Sequence, residues 1–211
     1  MDDKKRMKKI TTILKKRYDA EHGLARNKFK LLIATILSQR TRDENSEMAT
    51  EKLFKFAKTP EGIVKMPKKK LENLIRSSGY YKEKAKKLKR ACKMLIEEYD
   101  GKIPDKREEL LKFYGIGYKT ADIILSYGFG KQTIAVDTHV NRVSKRIGFS
   151  DKKDNVEKVK EMLEKITAPK DKIFINLGFI QFGRDVCKTI PQCYRCPIVK
   201  LCDYEEKVYL R

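Results

Sequence analysis

The chain of 211 residues lacks any run of about 18 apolar residues, which is the length that a membrane-spanning helix needs. Its N-terminus carries several basic residues, but the apolar stretch among them is too short for a secretory signal. Neither an internal repeat nor a low-complexity segment is visible. We therefore expect a protein without a membrane segment that works inside the cell.

Acidic residues are scarce relative to basic ones, since 29 Asp and Glu stand against 50 Lys and Arg, giving a formal net charge of +21. Such an excess of one sign destabilises the compact state by self-repulsion unless a polyanion offsets it. Nucleic acid is the first candidate partner for this charge. An anionic membrane surface is the second candidate, and a structural role on the ribosome is the third.

Alternation of polar and apolar residues, the mark of a half-buried strand, is also missing, and helical periodicity dominates instead. Residues 29–37 carry apolar side chains at the spacing of a core-facing helical stripe, and so do residues 81–95. Asp105, with Glu108 three residues later, predicts the capped start of a short helix. The pattern predicts an all-α fold, with further helices at residues 44–57, 119–127, 138–147, 154–166 and 171–182 and a buried connector at 134–136.

A tight turn is predicted where two glycines surround one isoleucine, at Gly115, Ile116 and Gly117. Glycine adopts the backbone angles of such a turn at little cost, and its missing side chain lets another backbone approach closely. The amide groups of the turn and of the helix that follows would point outward together, which makes a site for an anion such as a DNA phosphate. An ordinary turn between two helices is the alternative interpretation.

Lys119 lies at the start of the helix after this turn, where the positive end of the helix dipole disfavours an ammonium group. Partial burial against Ile123 and Ile124 would act in the same direction. A neutral amine near pH 7 is a nucleophile that can form a Schiff base with a carbonyl carbon. The alternative is that Lys119 is one of many solvated surface lysines.

Five cysteines in an intracellular chain argue against a disulfide framework, because the cytosol keeps thiols reduced. Cys92 lies within the apolar stripe of residues 81–95 and is predicted to be a small buried core residue.

The other four cysteines, Cys187, Cys193, Cys196 and Cys202, are spaced C-x5-C-x2-C-x5-C. Four thiolates in one short segment can surround a compact metal centre. Zinc sites usually have two C-x2-C pairs that are far apart, whereas this segment has one such pair flanked by single cysteines. The proline that follows Cys196 is also typical of ferredoxin-type loops. The spacing favours a [4Fe-4S] cluster over zinc without excluding zinc.

Two segments, GIGYKTADIIL at residues 115–125 and FGKQTIAVDTHVNRVSKRIG at residues 129–148, resemble the endonuclease III family of helix-hairpin-helix DNA glycosylases. In that family the lysine after the turn is the nucleophile and the aspartate of the V-D-T-H segment is the catalytic acid/base. The resemblance maps these roles onto Lys119 and Asp137. Because members without lyase activity carry another residue at the lysine position, it implies a bifunctional glycosylase and AP lyase. Such an enzyme removes oxidised pyrimidines from double-stranded DNA and cuts the strand by β-elimination through a lysine Schiff base.

The resemblance also implies a [4Fe-4S] cluster near the C-terminus, held by the four cysteines. The family usually has C-x6-C as its first spacing, and this chain is one residue shorter there. In the family the cluster organises a basic loop for contact with DNA, and Lys188 and Arg195 are the candidates for that contact here.

Family members extrude the damaged nucleotide and fill the gap with residues from two loops. One loop reads LSQRTRD here, and either Gln39 or Arg40 is expected to enter the duplex, Arg40 standing where the family commonly has glutamine. The other loop reads SSGYYKEKA, with Tyr80 at the position of the apolar wedge. A tyrosine stacks well on an orphaned base. The alternative for Tyr80 is a partly buried surface aromatic.

The resemblance implies two helical domains with a cleft between them. Residues 23–133 would form a six-helix barrel that carries the hairpin, and residues 1–22 with 134–211 would form an iron–sulfur cluster domain. We expect a monomer that acts on damaged or abasic double-stranded DNA in the cytoplasm, at the nucleoid. Two alternatives stay open: a non-catalytic module that grips DNA through the hairpin, and the same chemistry on oxidised guanine or on mismatched uracil or thymine.

Overall fold

The computed structural model of the protein describes residues 2–18 and 25–209. All regular secondary structure of the described residues is helical, with no strand among them, so the predicted all-α class is confirmed. The α-helices in chain order are α1 (Asp3–Lys15), α2 (Lys28–Leu37), α3 (Asp43–Phe54), α4 (Pro60–Lys65), α5 (Lys68–Leu74), α6 (Tyr81–Tyr99), α7 (Arg107–Leu111), α8 (Tyr118–Ile123), α9 (Thr138–Ile147), α10 (Val156–Ile166) and α11 (Lys172–Asp185).

The chain divides into two compact units. The central unit comprises the described residues of 24–130, and the terminal unit comprises those of 1–23 and 131–211. The sequence places the corresponding boundaries at 22/23, which lies outside the described residues, and at 133/134. Each unit has its own apolar core.

The central unit is built from α2 to α8 around one core. Helix α6 shows why the sequence folds in this way, because its apolar side chains recur at helical spacing and its lysines lie between them. Leu88, Cys92 and Leu95 of α6 are fully buried. The prediction that Cys92 is a core residue is thus confirmed, and burial raises the pKa of its thiol to about 12.

Two helices of the central unit differ from their predictions. Helix α7 begins at Arg107 with Lys106 as its N-cap residue, so the helix starts two residues after Asp105, where the sequence predicts its start. The predicted helix at 119–127 is α8 followed by a π-helical segment, Ile124–Gly128, whose residues are all buried. Helix periodicity locates this stretch but does not distinguish α from π hydrogen bonding.

The terminal unit packs α1 against α10 and α11. Met7, Ile10 and Leu14 of α1 reach the same core as Phe179 and Phe182 of α11. The connector at 134–136 is buried, as predicted, and side chains satisfy its backbone. No helix among the described residues is long and apolar enough to cross a bilayer.

Candidate active site and nucleic-acid interface

The glycine turn joins α7 to α8, and its two glycines differ in what they require. Gly115 has a φ of +82°, the left-handed region that glycine adopts most readily. Gly117 has a φ of −104° and a ψ of −179°, which any residue adopts, so the prediction that both glycines are needed for backbone angles is wrong for Gly117. A Cβ at Gly117 would meet no atom of the described chain within 4 Å. Ile116, between them, is buried in the core and anchors the turn.

Two exposed tyrosines flank this turn, and each stacks on an arginine. The Arg90 guanidinium carbon lies 4.3 Å from the centre of the Tyr114 ring, and that of Arg107 lies 4.7 Å from the centre of the Tyr118 ring. Arg107 also bonds the buried carboxylate of Asp122 on α8 at 3.1 Å, which ties the two helices of the hairpin together. Sequence pattern alone does not indicate these aromatic–cation pairs, although Tyr114 and Tyr118 stand next to the glycines in the sequence.

Lys119 is the second residue of α8, and it is exposed. Ile124 belongs to the core, whereas the lysine lies at the surface. The side chain is therefore accessible to a substrate that approaches from solvent.

Gln39 and Arg40, the two candidates from the first loop, have different surroundings. Gln39 donates from Nε2 to the carbonyl oxygen of Gly115 at 2.9 Å and accepts at Oε1 from Lys87 at 2.7 Å. Arg40 is exposed and has a φ of +52°. Gln39 thus links its loop to the glycine turn, and Arg40 is the residue that faces solvent.

Tyr80, the candidate from the second loop, is 66% exposed and has a φ of +46°. A partly buried aromatic, the alternative interpretation, does not describe it. The loop that carries Tyr80 is joined to the loop that carries Arg40, because the Thr41 hydroxyl donates to the carbonyl oxygen of Ser78. The structure therefore brings the glycine turn, Gln39, Arg40 and Tyr80 into one connected part of the central unit.

Asp137 lies in the terminal unit, where it is the N-cap residue of α9. Its Oδ1 accepts hydrogen bonds from the amides of His139 and Val140, both at 2.8 Å. This cap fixes the orientation of the carboxylate, which is half-buried. The V-D-T-H segment thus combines a helix cap with a carboxylate held by rigid backbone.

The four C-terminal cysteines line one cavity in the terminal unit. Burial raises the pKa of the Cys196 thiol to about 11, and burial also raises the pKa values of the Cys187 and Cys202 thiols. Within the described residues, no group of three or more His, Cys, Asp or Glu side chains is placed to hold a single metal ion. Four sulfur atoms around a common space are a donor set suited to a metal centre.

Two arginines of α9 support the cysteine segment, residues 187–202. Arg142 donates to the carbonyl oxygen of Cys187 at 3.2 Å, and Arg146 donates to that of Thr189 at 2.7 Å. Arg146 also approaches the Cys187 sulfur at 3.6 Å. No local sequence pattern indicates this support, because it connects residues more than 40 positions apart.

The two basic residues predicted to contact DNA from this segment differ in their surroundings. Lys188 is exposed. Arg195 is also exposed, but its guanidinium bonds the Asp185 carboxylate at 2.6 Å, and Tyr18 donates to the same carboxylate at 2.7 Å. Arg195 therefore has an internal role in tying the cysteine segment to α11.

Comparison with known proteins places these features in a family context. Residues 33–169 match the family described as HhH-GPD superfamily base excision DNA repair protein. The endonuclease III of Thermotoga maritima is 44% identical over 178 residues, covering 83% of this chain and 83% of that protein. A solved structure of a trapped endonuclease III–DNA covalent intermediate is 40% identical and superposes with a TM-score of 0.87, covering 96% of this chain and 97% of that one. A thermostable thymine-DNA glycosylase is 27% identical with a TM-score of 0.87, covering 97% of this chain and 98% of that one.

Proposed function

Because this chain belongs to the HhH-GPD superfamily of base excision DNA repair proteins, we propose that it removes oxidised pyrimidines from double-stranded DNA and then cuts the abasic strand. Base excision repair, DNA glycosylase activity and AP lyase activity follow from the family and from its endonuclease III relatives. The choice of oxidised pyrimidines and the assignment of individual residues are the proposal. An exposed lysine two residues after the glycine turn is the observation that carries it.

Lys119 supplies the nucleophile. Its amine attacks C1′ of the damaged nucleotide, so that a C1′–N bond forms while the bond to the base breaks and the base leaves with that electron pair and a proton. The sugar ring then opens at the C1′–O4′ bond, O4′ takes a proton, and a Schiff base remains on the lysine. Loss of a proton from C2′ breaks the C3′–O3′ bond, which releases the 3′ phosphate and cuts the strand.

Asp137 acts on the same nucleotide as an acid/base. It accepts the proton that the Lys119 amine must lose to become nucleophilic and passes this proton to the departing base. The carboxylate that is restored in this way stabilises the cationic sugar with its negative charge. The two amide hydrogen bonds at the start of α9 hold the carboxylate in place for this role.

Arg40 and Tyr80 fill the space that the extruded nucleotide leaves. Both are exposed on neighbouring loops, both have left-handed backbone, and Gln39 is committed to the glycine turn instead. A base that loses its partner can stack on an aromatic ring, which is worth roughly 1–3 kcal/mol. Tyr80→Ala should therefore slow lesion processing more than it weakens binding to undamaged duplex. Equal losses in both assays would argue against a wedge.

The backbone amides of the glycine turn bind a DNA phosphate, and the net charge of +21 supplies the general attraction. Lys188 adds a contact from the cysteine segment. The protein acts as a monomer on genomic DNA, at the nucleoid.

Cys187, Cys193, Cys196 and Cys202 hold a [4Fe-4S] cluster. When bound, the cluster supplies positive charge to four thiolates that burial otherwise disfavours and fixes the fold of the segment around it. No step of the base-removal chemistry passes through it.

The alternative lesions need a direct comparison, since a thymine-DNA glycosylase shares the fold. Duplexes that each contain one lesion, an oxidised pyrimidine, an oxidised guanine, or a mismatched uracil or thymine, should be assayed for base release. Fastest release of the oxidised pyrimidine supports the proposal, and fastest release of another base replaces it.

The central experiment is trapping with borohydride, which reduces a Schiff base to a stable bond. The wild-type protein should form a covalent adduct with lesion-containing and abasic duplex, and Lys119→Gln should lose both the adduct and strand cutting while binding of DNA persists. Lys112→Gln, which removes another exposed lysine of the hairpin, is the matched control and should trap normally. Trapping at the wild-type rate in Lys119→Gln would assign the nucleophile elsewhere, and a wild-type protein that binds but never cuts would be a DNA-binding module.

A further inference from the structure

Lys84, on the first turns of α6, is a buried lysine in a very basic chain. Its side chain is only 2% exposed, whereas most lysines of the protein lie at the surface. Burying a charge without a partner is costly, so a buried lysine needs hydrogen-bond acceptors around its ammonium group.

Three oxygen atoms surround the Lys84 amine, each at 2.6 Å. They are the carbonyl oxygen of Leu37, the hydroxyl of Thr41 and the carbonyl oxygen of Ser78. An ammonium group has three donors, so all of its hydrogen-bonding capacity is used. None of these partners, which belong to the described residues, is a carboxylate, and burial lowers the pKa of Lys84 to about 8 with a further contribution from the charge of Lys87.

Thr41 and Ser78 belong to two different loops, and Leu37 is the last residue of α2, directly before the first of these loops. Leu37 and Thr41 bracket Arg40, and Ser78 stands two residues before Tyr80. We call residues 38–42 and 76–80 the loop pair. One side chain thus bonds the backbone before Arg40, the hydroxyl of the residue after Arg40, and the backbone two residues before Tyr80. The Thr41 hydroxyl adds a second link between the loops.

The backbone at both loop tips is of a kind that does not persist by itself. Arg40 and Tyr80 have φ values of +52° and +46°, and non-glycine residues keep such angles only where the surrounding structure enforces them. The Lys84 hydrogen bonds lie within three residues of both positions.

We propose that Lys84 is a positioning residue that fixes the two DNA-inserting loops relative to each other before DNA binds. It touches neither substrate nor reacting atoms. Its role rests on the proposed function of Arg40 and Tyr80, since it aligns the two side chains that enter the duplex together. A loop pair fixed in advance avoids ordering the loops at the moment of nucleotide extrusion, and displacement by about 1 Å can cost roughly 10²-fold in rate.

Lys84→Met is the test, because methionine has a similar length and no donor. Lys89→Met is the matched control, since Lys89 also lies on α6 and donates to two backbone carbonyls, those of Val64 and Met66, at 2.8 and 2.6 Å. Thr41→Val, which removes the hydroxyl between the loops, is a milder second variant if Lys84→Met does not fold.

The first measurement is hydrogen exchange without DNA, which is independent of the proposed function. The amides of Thr41 and Ser78 are hydrogen-bonded and report on the loop pair. Lys84→Met should accelerate their exchange by roughly tenfold or more, and Lys89→Met should leave them as in the wild type. Unchanged exchange of both amides in folded Lys84→Met and in Thr41→Val would overturn the proposal.

The second measurement is the fluorescence of 2-aminopurine placed opposite a lesion, which rises when that base loses its stacking. With saturating enzyme, Lys84→Met should lose most of the rise and release the lesion base more slowly, yet bind undamaged duplex within about twofold of the wild type. A wild-type rise in folded Lys84→Met, or an equal loss in Lys89→Met, contradicts a positioning role. If the wild type itself gives no rise, the proposed insertion of Arg40 and Tyr80 fails, while the exchange measurement still decides whether Lys84 holds the loops.

Discussion

The loop pair of the central unit and the cysteine segment of the terminal unit both contain little regular helix. Different interactions fix the conformation of each. The loop pair closes around one ammonium group and three oxygens that the chain itself supplies. The cysteine segment closes around a cavity lined by four sulfur atoms, with arginines of α9 supporting its backbone from outside. The first arrangement is complete without a cofactor, whereas the second is the proposed site of a metal centre. The two units should therefore respond differently to loss of metal and to loss of a single side chain.

We expect the largest effect when a cysteine of the terminal unit is replaced. Cys196→Ser should lose the cluster, so that the yellow-brown colour and about four irons per chain disappear together with most of the soluble protein. Cys92→Ala is the matched control, since Cys92 is a cysteine of the other core, and it should keep the full iron content. Iron and zinc analysis of anaerobically purified protein, with absorption near ~400 nm, measures this. Stoichiometric zinc without iron would contradict the cluster.

The second prediction concerns Asp137 of the terminal unit, the proposed acid/base. Asp137→Asn should keep the fold, because asparagine is as good an N-cap as aspartate and can accept the same amide hydrogen bonds. It should release the damaged base roughly 10²-fold more slowly, as expected for the loss of a general acid–base group. Single-turnover base release, with thermal unfolding as the control, separates the two effects. A slow variant that also melts early would point to the cap instead.

We expect a smaller effect from substitutions at the two glycines of the hairpin in the central unit. Gly117→Thr should not disturb the fold, because the backbone there is extended, the space is open and threonine is about as good an N-cap as glycine. It should nevertheless weaken binding to all duplexes by roughly tenfold, since the side chain blocks a phosphate from the amides. Gly115→Ala should do the reverse and lower the melting temperature, because its φ of +82° is strained for alanine and its Cβ would meet the side chain of Lys87. Equal binding by Gly117→Thr and wild type would return the turn to a purely structural role.

We expect the smallest effect at Glu164 of the terminal unit. Like Lys84 in the central unit, its side chain holds a connecting segment through hydrogen bonds. Glu164 accepts from the amide of Ile134 at 2.8 Å and from the Thr133 hydroxyl at 2.7 Å, and it pairs with Lys160 at 2.8 Å. Burial alone would raise its pKa, but these partners outweigh burial and lower the pKa below 4.5. The ionised Glu164 carboxylate therefore stabilises the folded protein above about pH 4.5, and this stabilisation is lost as the pH falls through the lowered pKa.

Glu164→Gln should accordingly destabilise the protein by about 1 kcal/mol at neutral pH, and the difference from the wild type should shrink in acid. Urea unfolding at pH 7 and at pH 3.5 measures both values. A difference that grows towards low pH would show that the carboxylate is not the stabilising form.

The sequence predicts what depends on local pattern. The stripe that buries Cys92 and the residues of α9 are read from periodicity, and the segment around Lys119 and Asp137 is read from its motifs. The role of Lys84 could not be predicted, because nothing local distinguishes it among 50 basic residues and its partner Leu37 is 47 positions away. The choice between Gln39 and Arg40 likewise depends on a long-range hydrogen bond, that of Gln39 to Gly115. The conformation of Gly117 differs from its prediction because a glycine in the sequence does not reveal whether the fold or a ligand requires it.

The burial of Cys92 has a practical consequence for chemistry in solution. Once a metal centre occupies the other four sulfur atoms, Cys92 is the remaining free thiol, and its pKa of about 12 leaves almost no thiolate to react with maleimides or aromatic disulfides. Alkylation then requires the core of the central unit to open first. The rate at which one equivalent of a thiol reagent is consumed thus measures how fast that core opens, without any label being added.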